Sequence, residues 1–229
     1  MRGPARGSRF ILGSLAGEGG GATVYLGMVE PEQSRTISQL LRRGGVFFDV
    51  GANVGYYSVL ASRIVGETGL VVAIEPDIRN ISFLYRHRMK NRLRNVSIVT
   101  AACSDRSGLC TFSTGSTFAT GHLSDRTPDV RLGQSSLVPT ISLDSLAERI
   151  ERFPDVVKID VEGAELSVLQ GASNTLAKRR PVIVLSTHSE SLRSECLSFL
   201  AVLGYESRPL KDGDTNPTEH LAIPSGSSV

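Results

Sequence analysis

The run Phe47-Phe48-Asp49-Val50-Gly51-Ala52-Asn53-Val54-Gly55 joins an apolar stretch to a glycine-bounded turn, and an amphipathic stretch begins at about Tyr56. A strand opening into such a turn leaves bare backbone at its carboxyl end, where a cofactor can lie. Twenty residues past the turn, Val71-Val72-Ala73-Ile74-Glu75 is a second apolar run closed by a carboxylate. A strand-turn-helix followed by a strand-terminal acid is a layout that holds a ribose-bearing cofactor.

Glycine spacing narrows the cofactor. The dinucleotide fingerprint is Gly-x-Gly-x-x-Gly, whereas Gly51 and Gly55 stand four apart with Asn53 in the middle glycine's place. The close approach that a pyrophosphate needs is lost. A cofactor without phosphates fits better, and S-adenosylmethionine is one. Its amino acid end can meet the turn and Asp49, and its ribose hydroxyls can be accepted by Glu75. A nicotinamide cofactor is the rival reading. The purely structural alternative is a tight strand-helix turn, with Glu75 as a helix-start acid ahead of Pro76.

A second set of chemical groups lies far along the chain. Lys158, Asp160 and Glu162 alternate with Val157, Ile159 and Val161, so a persisting strand would put the three charges on one face. A lysine in a buried strand is costly unless paired, and Asp160 is the expected partner. Asp160 is a candidate for both the cofactor and the acceptor side. Glu162 is equally a site acid or, with Glu165, a helix-start acid. The next apolar run ends Leu185-Ser186-Thr187-His188, which offers a histidine as a base near neutral pH or as a solvated loop residue. Asp160 and His188 are the groups expected to position or deprotonate an acceptor hydroxyl. A divalent ion on Asp160 and Glu162 is chemically possible, but two acids without a clear third ligand are weak support, and no metal is expected.

These groups need a parallel sheet to bring them together. Apolar, β-branched runs at Val46–Val50, Leu70–Ile74, Val96–Val99, Val156–Asp160 and Pro181–Ser186 alternate with helical stretches. Strands buried on both faces read this way. Helices are expected from Pro31 to Arg43, Tyr56 to Val65, Asp77 to Leu93, just before Gly171, and Glu190 to Leu203. Short strands near Tyr205 and Leu221-Ala222-Ile223 could close the sheet as a hairpin. Ser104 to Leu146 breaks the rhythm. It carries short extra strands at Cys110-Thr111-Phe112 and Val138–Ile141 around a Ser-, Thr- and Gly-rich stretch from Ser113 to Ser136, which is expected to cover or select the acceptor.

The 229 residues suit one domain: a flexible segment over 1–22, a folded unit over 23–224 with an insertion over about 104–146, and a tail over 225–229. A net charge of +2 argues against a broad nucleic-acid surface. The basic run Arg86 to Arg94 reads as a solvated helix face, without aromatic platforms for stacked bases. Cys103, Cys110 and Cys196 form no Cys-x-x-Cys, which points away from disulfides and zinc and toward a reducing cytoplasm. The apolar stretch after Arg9 is too short and too broken by glycine for a secretory signal, and no run suffices to span a bilayer.

Phe47 to Ser58, Val71 to Pro76, Ile141-Ser142-Leu143-Asp144-Ser145-Leu146, and Lys158-Ile159-Asp160-Val161-Glu162-Gly163-Ala164-Glu165 with Val168 to Ala172 occur in that order. Together they resemble the FkbM-type S-adenosylmethionine-dependent methyltransferases. The resemblance implies the class I methyltransferase, Rossmann-like α/β fold: a seven-stranded, mostly parallel sheet with helices on both faces and its last strand antiparallel. It implies methyl transfer, most often to a hydroxyl of a small natural product or sugar. Asp49, Gly51, Asn53 and Gly55 would surround the methionine part and Glu75 the ribose. Many class I methyltransferases place an acid after the third strand, where this chain has Thr100-Ala101-Ala102. Adenine would then meet backbone near Ala102 and an apolar contact from Ile74. Asp105 suits either a substitute acid or a turn. The family usually has an acid at the position of Ser186, and the serine here keeps open a cofactor-binding module without transfer activity as the alternative to an enzyme.

Overall fold

The computed structural model describes residues 5–11, 30–114, 121–124, 135–211, 213–214 and 216–227. In chain order the elements are α1 (Pro31–Leu40), β1 (Val46–Val50), α2 (Tyr56–Val65), β2 (Leu70–Ile74), α3 (Ile78–Lys90) and β3 (Val96–Val99). There follow β4 (Ala102–Cys103), β5 (Gly108–Thr114), β6 (Gly121–Ser124), β7 (Ser135–Ile141), α4 (Leu143–Ile150) and β8 (Val156–Ile159). The chain continues with α5 (Glu165–Gln170), α6 (Ser173–Arg179), β9 (Val182–Ser186), α7 (Glu190–Val202), β10 (Tyr205–Pro209) and β11 (Glu219–Pro224).

The large sheet has the order β10-β11-β9-β8-β1-β2-β3. β1, β2, β3, β8 and β9 pair in parallel, and β11 runs antiparallel to both of its neighbours. The chain starts in the middle with β1, builds outward to β3, and returns to lay β8 on the other side of β1. That reversal opens a crevice at the carboxyl ends of β1 and β8, where ligands of open α/β sheets bind.

Period-two alternation decides which face each side chain serves. Val46, Phe48 and Val50 of β1 pack with Val157, Ile159 and apolar groups of α4 to α7. Phe47 packs the opposite way, with Val71, Val156 and the α1 and α2 residues Ile37, Tyr57 and Leu60. Asp49 and Lys158 continue that second face, at paired positions of β1 and β8. The sheet thus carries two polar groups into an apolar layer at its carboxyl end.

Helix boundaries follow local chemistry. Asp77 caps α3, accepting a hydrogen bond from Arg79 N, and Ser142 caps α4 by accepting from Ser145 N. α1 stops at Leu40, earlier than expected, because Leu41 is already extended. α4 and α6 were not anticipated as helices.

The insertion folds as a separate four-stranded sheet, β4-β7-β5-β6, which includes both short strands expected there. Most of the stretch expected to cover an acceptor, residues 115–120 and 125–134, lies outside the described residues. Residues 5–11 fall within the segment expected to be flexible. Ala5 and Phe10 among them are buried, and Phe10 stacks near Tyr56 and His87.

Gly171 joins α5 to the insertion. A Cβ there would stand 2.1 Å from the carbonyl oxygen of Ser104. Its φ of −71° is ordinary, so the constraint is contact alone. Gly171→Ala is expected to destabilise the fold by about 1–3 kcal/mol, as overpacking does. Urea unfolding measures it; an unchanged midpoint would show that this junction yields freely.

Candidate active site

The turn after β1 is tied to the neighbouring strands. The backbone N–H groups of Gly51 and Ala52 both donate to Ile74 O at 3.0 Å. Gly51 has φ of +75°, and a Cβ on it would stand 1.8 Å from Asp160 O. Glycine is therefore required on two counts. Asn53 adopts φ of 51°, and its side chain accepts from Val54 N at 2.7 Å. Gly55, with φ of 88°, precedes the first turn of α2.

Glu75 closes β2 beneath that turn. Its Oε2 accepts from Asn53 N at 2.8 Å, and its Oε1 accepts from Asp77 N at 2.9 Å and Asn80 Nδ2 at 3.3 Å. A carboxylate has about four acceptor sites, so capacity remains for a ligand hydroxyl. Burial pushes the Glu75 carboxyl up to about 7, against the N–H groups of Asp77 and Asn53. Asp49 is fully buried and takes a hydrogen bond from Ser58 Oγ on Oδ2. Among the described residues its Oδ1 has no hydrogen-bond partner. Burial raises its pKa, opposed by Lys158 and by the Ser58 hydroxyl. A buried, half-satisfied carboxylate under a glycine turn suits a ligand ammonium.

Across the crevice, Lys158 Nζ reaches Asp160 Oδ2 at 3.1 Å and lies over the Tyr57 ring. Burial presses the ammonium toward neutrality, yet Asp160, Asp49 and Glu30 outweigh this and hold its pKa above the ordinary value. The expected pair is therefore present. The strand that would put all three charges on one face does not persist: β8 ends at Ile159, and Glu162 takes the left-handed conformation at φ of 55°. His188 gathers the acids instead. Its Nε2 lies 3.5 Å from Asp160 Oδ1 and 3.4 Å from Glu162 Oε2, and its Nδ1 lies 2.9 Å from Glu165 Oε1.

The hydrogen bond to Glu165, against burial and with help from Glu162, Glu165 and Asp160, pushes the His188 pKa up to about 9. At neutral pH this imidazole carries a proton. Of the two roles expected for His188, positioning is the one this state suits.

Two acids escaped the sequence reading. Glu165, taken there as a helix-start acid, is wholly buried and anchors His188, and it also accepts from Gly163 N at 3.1 Å. Glu219 of β11 pairs in register with Ser186 of β9, and Gln33 Nε2 donates to both side chains. A carboxylate therefore stands beside the position where the resemblance implied one. Burial and the charges of Glu30 and Asp160 push Glu219 up to about 7. A recess of about 280 Å³ opens there, lined by Glu30, Glu32, Asp214, Glu219 and Lys211 among others.

Ala102 is buried on β4 and paired with Thr140, and Asp105 lies near Arg106 at 3.4 Å. Tyr56 and Tyr57 are both core residues. Cys103 and Cys196 are buried, and Cys110 is half-buried. No helix among the described residues is long and apolar enough to cross a membrane.

Solved structures share this architecture. An FkbM methyltransferase from Methylobacillus flagellatus is 16% identical, with a TM-score of 0.56 over 85% of this chain and 58% of that one. Fibrillarin from Aeropyrum pernix, solved with natively bound S-adenosyl-L-methionine, is 13% identical, with a TM-score of 0.52 over 80% of this chain and 68% of that one. At such identities the likeness is one of fold, and the fold is that of the class I methyltransferases. Among curated proteins, the hexuronic acid methyltransferase of Haloferax volcanii is 32% identical over 157 residues, 68% of this chain and 61% of that protein. The chain thus spans somewhat under two thirds of that relative's length. The family model of the methyltransferase FkbM domain matches residues 49–207, and the chain belongs to that family of methyltransferases.

The protonation of Glu75 gives a stability test. The folded chain holds this proton near 7 and the unfolded carboxyl near 4.5. Its contribution is fully present below 4.5 and is lost as pH rises through 7. The span is of order 3 kcal/mol. Glu219 adds a slope of the same sign. Glu75→Gln should remove only the Glu75 share, read as a shallower fall in urea-unfolding free energy between pH 5 and 8. Identical slopes would show that Glu75 is ionised throughout.

Proposed function

We propose that the chain is an S-adenosylmethionine-dependent methyltransferase that methylates a hydroxyl of a small, hydroxyl-rich acceptor such as a sugar or sugar acid. The observation that carries the cofactor is the pairing of two buried carboxylates with the turn between them. Asp49 Oδ1 lacks a partner among the described residues, and Glu75 keeps acceptor capacity beneath Asn53. Asp49 would hold the amino group, the backbone of Gly51 to Gly55 would line the methionine part, and Glu75 would accept from the ribose. Ala102 and Ile74 would meet the adenine. S-adenosylmethionine supplies an electrophilic methyl group on a sulfonium.

What remains for the protein is alignment, exclusion of water and handling of one proton. Asp160, Glu162 and His188 stand across the crevice from the turn and would receive the acceptor hydroxyl. The carboxylates accept its hydrogen while protonated His188 donates to a neighbouring oxygen. Carboxylates lining the adjoining recess suit an acceptor with many hydroxyls. The named activity of the Haloferax relative, a hexuronic acid methyltransferase, supports this acceptor class. The missing middle glycine and the orphan Asp49 oxygen disfavour a nicotinamide cofactor.

Calorimetry with S-adenosylhomocysteine should show binding, and NADH none. Glu75→Ala should weaken that binding about 10- to 100-fold, the worth of hydrogen bonds to a charged group. His188→Ala should slow turnover about a hundredfold with the affinity for S-adenosylhomocysteine retained. Absence of heat with S-adenosylhomocysteine would end the cofactor reading. Transfer to RNA but not to sugars or other small hydroxylated molecules, in a panel containing both, would overturn the acceptor class.

A further inference from the structure

The cluster at the end of β8 and β9 has a geometry that a proton relay does not require. Asp160, Glu162 and His188 each offer one atom, and the three atoms lie within 4.8 Å of one another. The edges from His188 Nε2 measure 3.5 Å to Asp160 Oδ1 and 3.4 Å to Glu162 Oε2. Ligands about 2.1 Å from a common ion stand about 3.0–3.5 Å apart, depending on coordination number.

The groups behind these ligands are also set. The second oxygen of Asp160 is held by buried Lys158 at 3.1 Å, which leaves Oδ1 turned to the histidine. The second nitrogen of His188 is held by Glu165 at 2.9 Å, which leaves Nε2 turned to the acids. A histidine with a carboxylate on its far nitrogen is the usual support of a metal-binding imidazole. Glu165 is wholly buried, and among the described residues its Oε2 has no hydrogen-bond partner. A cation at the cluster would add positive charge beside that buried, half-satisfied carboxylate.

We propose that Asp160 Oδ1, Glu162 Oε2 and His188 Nε2 are the protein ligands of a divalent cation of the magnesium or manganese class. One imidazole and two carboxylates suit such an ion; its binding would displace the proton from His188 Nε2, so the ion would replace the imidazolium as the positive group facing the acceptor, with open positions for an acceptor oxygen. The third ligand that the acids lack in sequence comes from the segment just after β9, as theirs come from the segment just after β8. The ion's service to an acceptor rests on the proposed methyl transfer; its binding does not.

The test uses the full chain, freed of metal by a chelator and titrated with Mn²⁺, with free Mn²⁺ followed by electron paramagnetic resonance. A single saturable site is expected. Asp160→Asn and His188→Ala should each weaken it at least tenfold, and Glu165→Gln about 10- to 100-fold through the orientation of His188. Thermal melting confirms that each variant is folded, and His188→Gln replaces His188→Ala if that variant is not. S-adenosylhomocysteine binding is measured in parallel. Its absence beside intact Mn²⁺ binding would sink the cofactor reading and leave this one standing. No saturable Mn²⁺ binding below about 1 mM, or a site unaffected by loss of His188, would overturn the cation site.

Discussion

Two strand tips can touch in this molecule because one residue between them has no side chain. At Gly51 a Cβ would stand 1.8 Å from Asp160 O, and φ of +75° disfavours any other residue there. Backbone meets backbone at the point where the sheet reverses direction. The turn after β1 is held to β2 through Ile74 O, so contact with the end of β8 fixes three strands against one another. The turn whose Asn53 bonds Glu75 and the segment that carries Asp160 are held against each other there. A bulkier turn would separate the half of the crevice that can hold adenosine from the half that holds His188.

Such closeness sets an electrostatic problem, and Lys158 is its main answer. An ammonium wholly inside the protein is unfavourable by itself. Here carboxylates at Asp160, Asp49 and Glu30 surround it, and the Tyr57 ring lies beneath it. Tyr57 in turn donates to Glu30 Oε2 at 2.6 Å, which links α1 to the same cluster. The buried cation is a structural keystone and an orienting group at once, since it fixes which oxygen of Asp160 faces the crevice.

Much of this was legible in sequence because strand signals are local. The runs at Val46 and Val71 are short, apolar and β-branched, and each becomes a strand within a residue of its expected bounds. The glycine turn and Glu75 belong to contiguous text, and the structure joins them by one hydrogen bond. α4 and α6 were less legible, being short segments set beside a strand end and a glycine. The second half of the site depends on placement that periodicity cannot give. Alternation along Lys158, Asp160 and Glu162 assumes a strand that stops at Ile159. Glu165 meets His188 across 23 positions, and Glu219 meets Ser186 only through the register of an antiparallel pair. The late antiparallel strand was expected; which of its side chains would face the crevice was not readable without that register.

Acids gather at this end of the sheet: Asp49 and Glu165 are buried, and Asp160, Glu162 and Glu219 are partly exposed. Asp49, Asp160, Glu162, Glu165 and Glu219 crowd a space whose cations are Lys158 and His188. Burial raises the pKa of Asp49, against the pull of Lys158, and pushes Glu219 up to about 7. A cationic ligand opposes that rise, because a nearby positive charge favours the ionised carboxylate. A sulfonium with an ammonium at the Asp49 end, or a divalent ion at the His188 end, would bring positive charge to these acids. Gathered groups of one sign attract ligands of the other before any contact of shape is made.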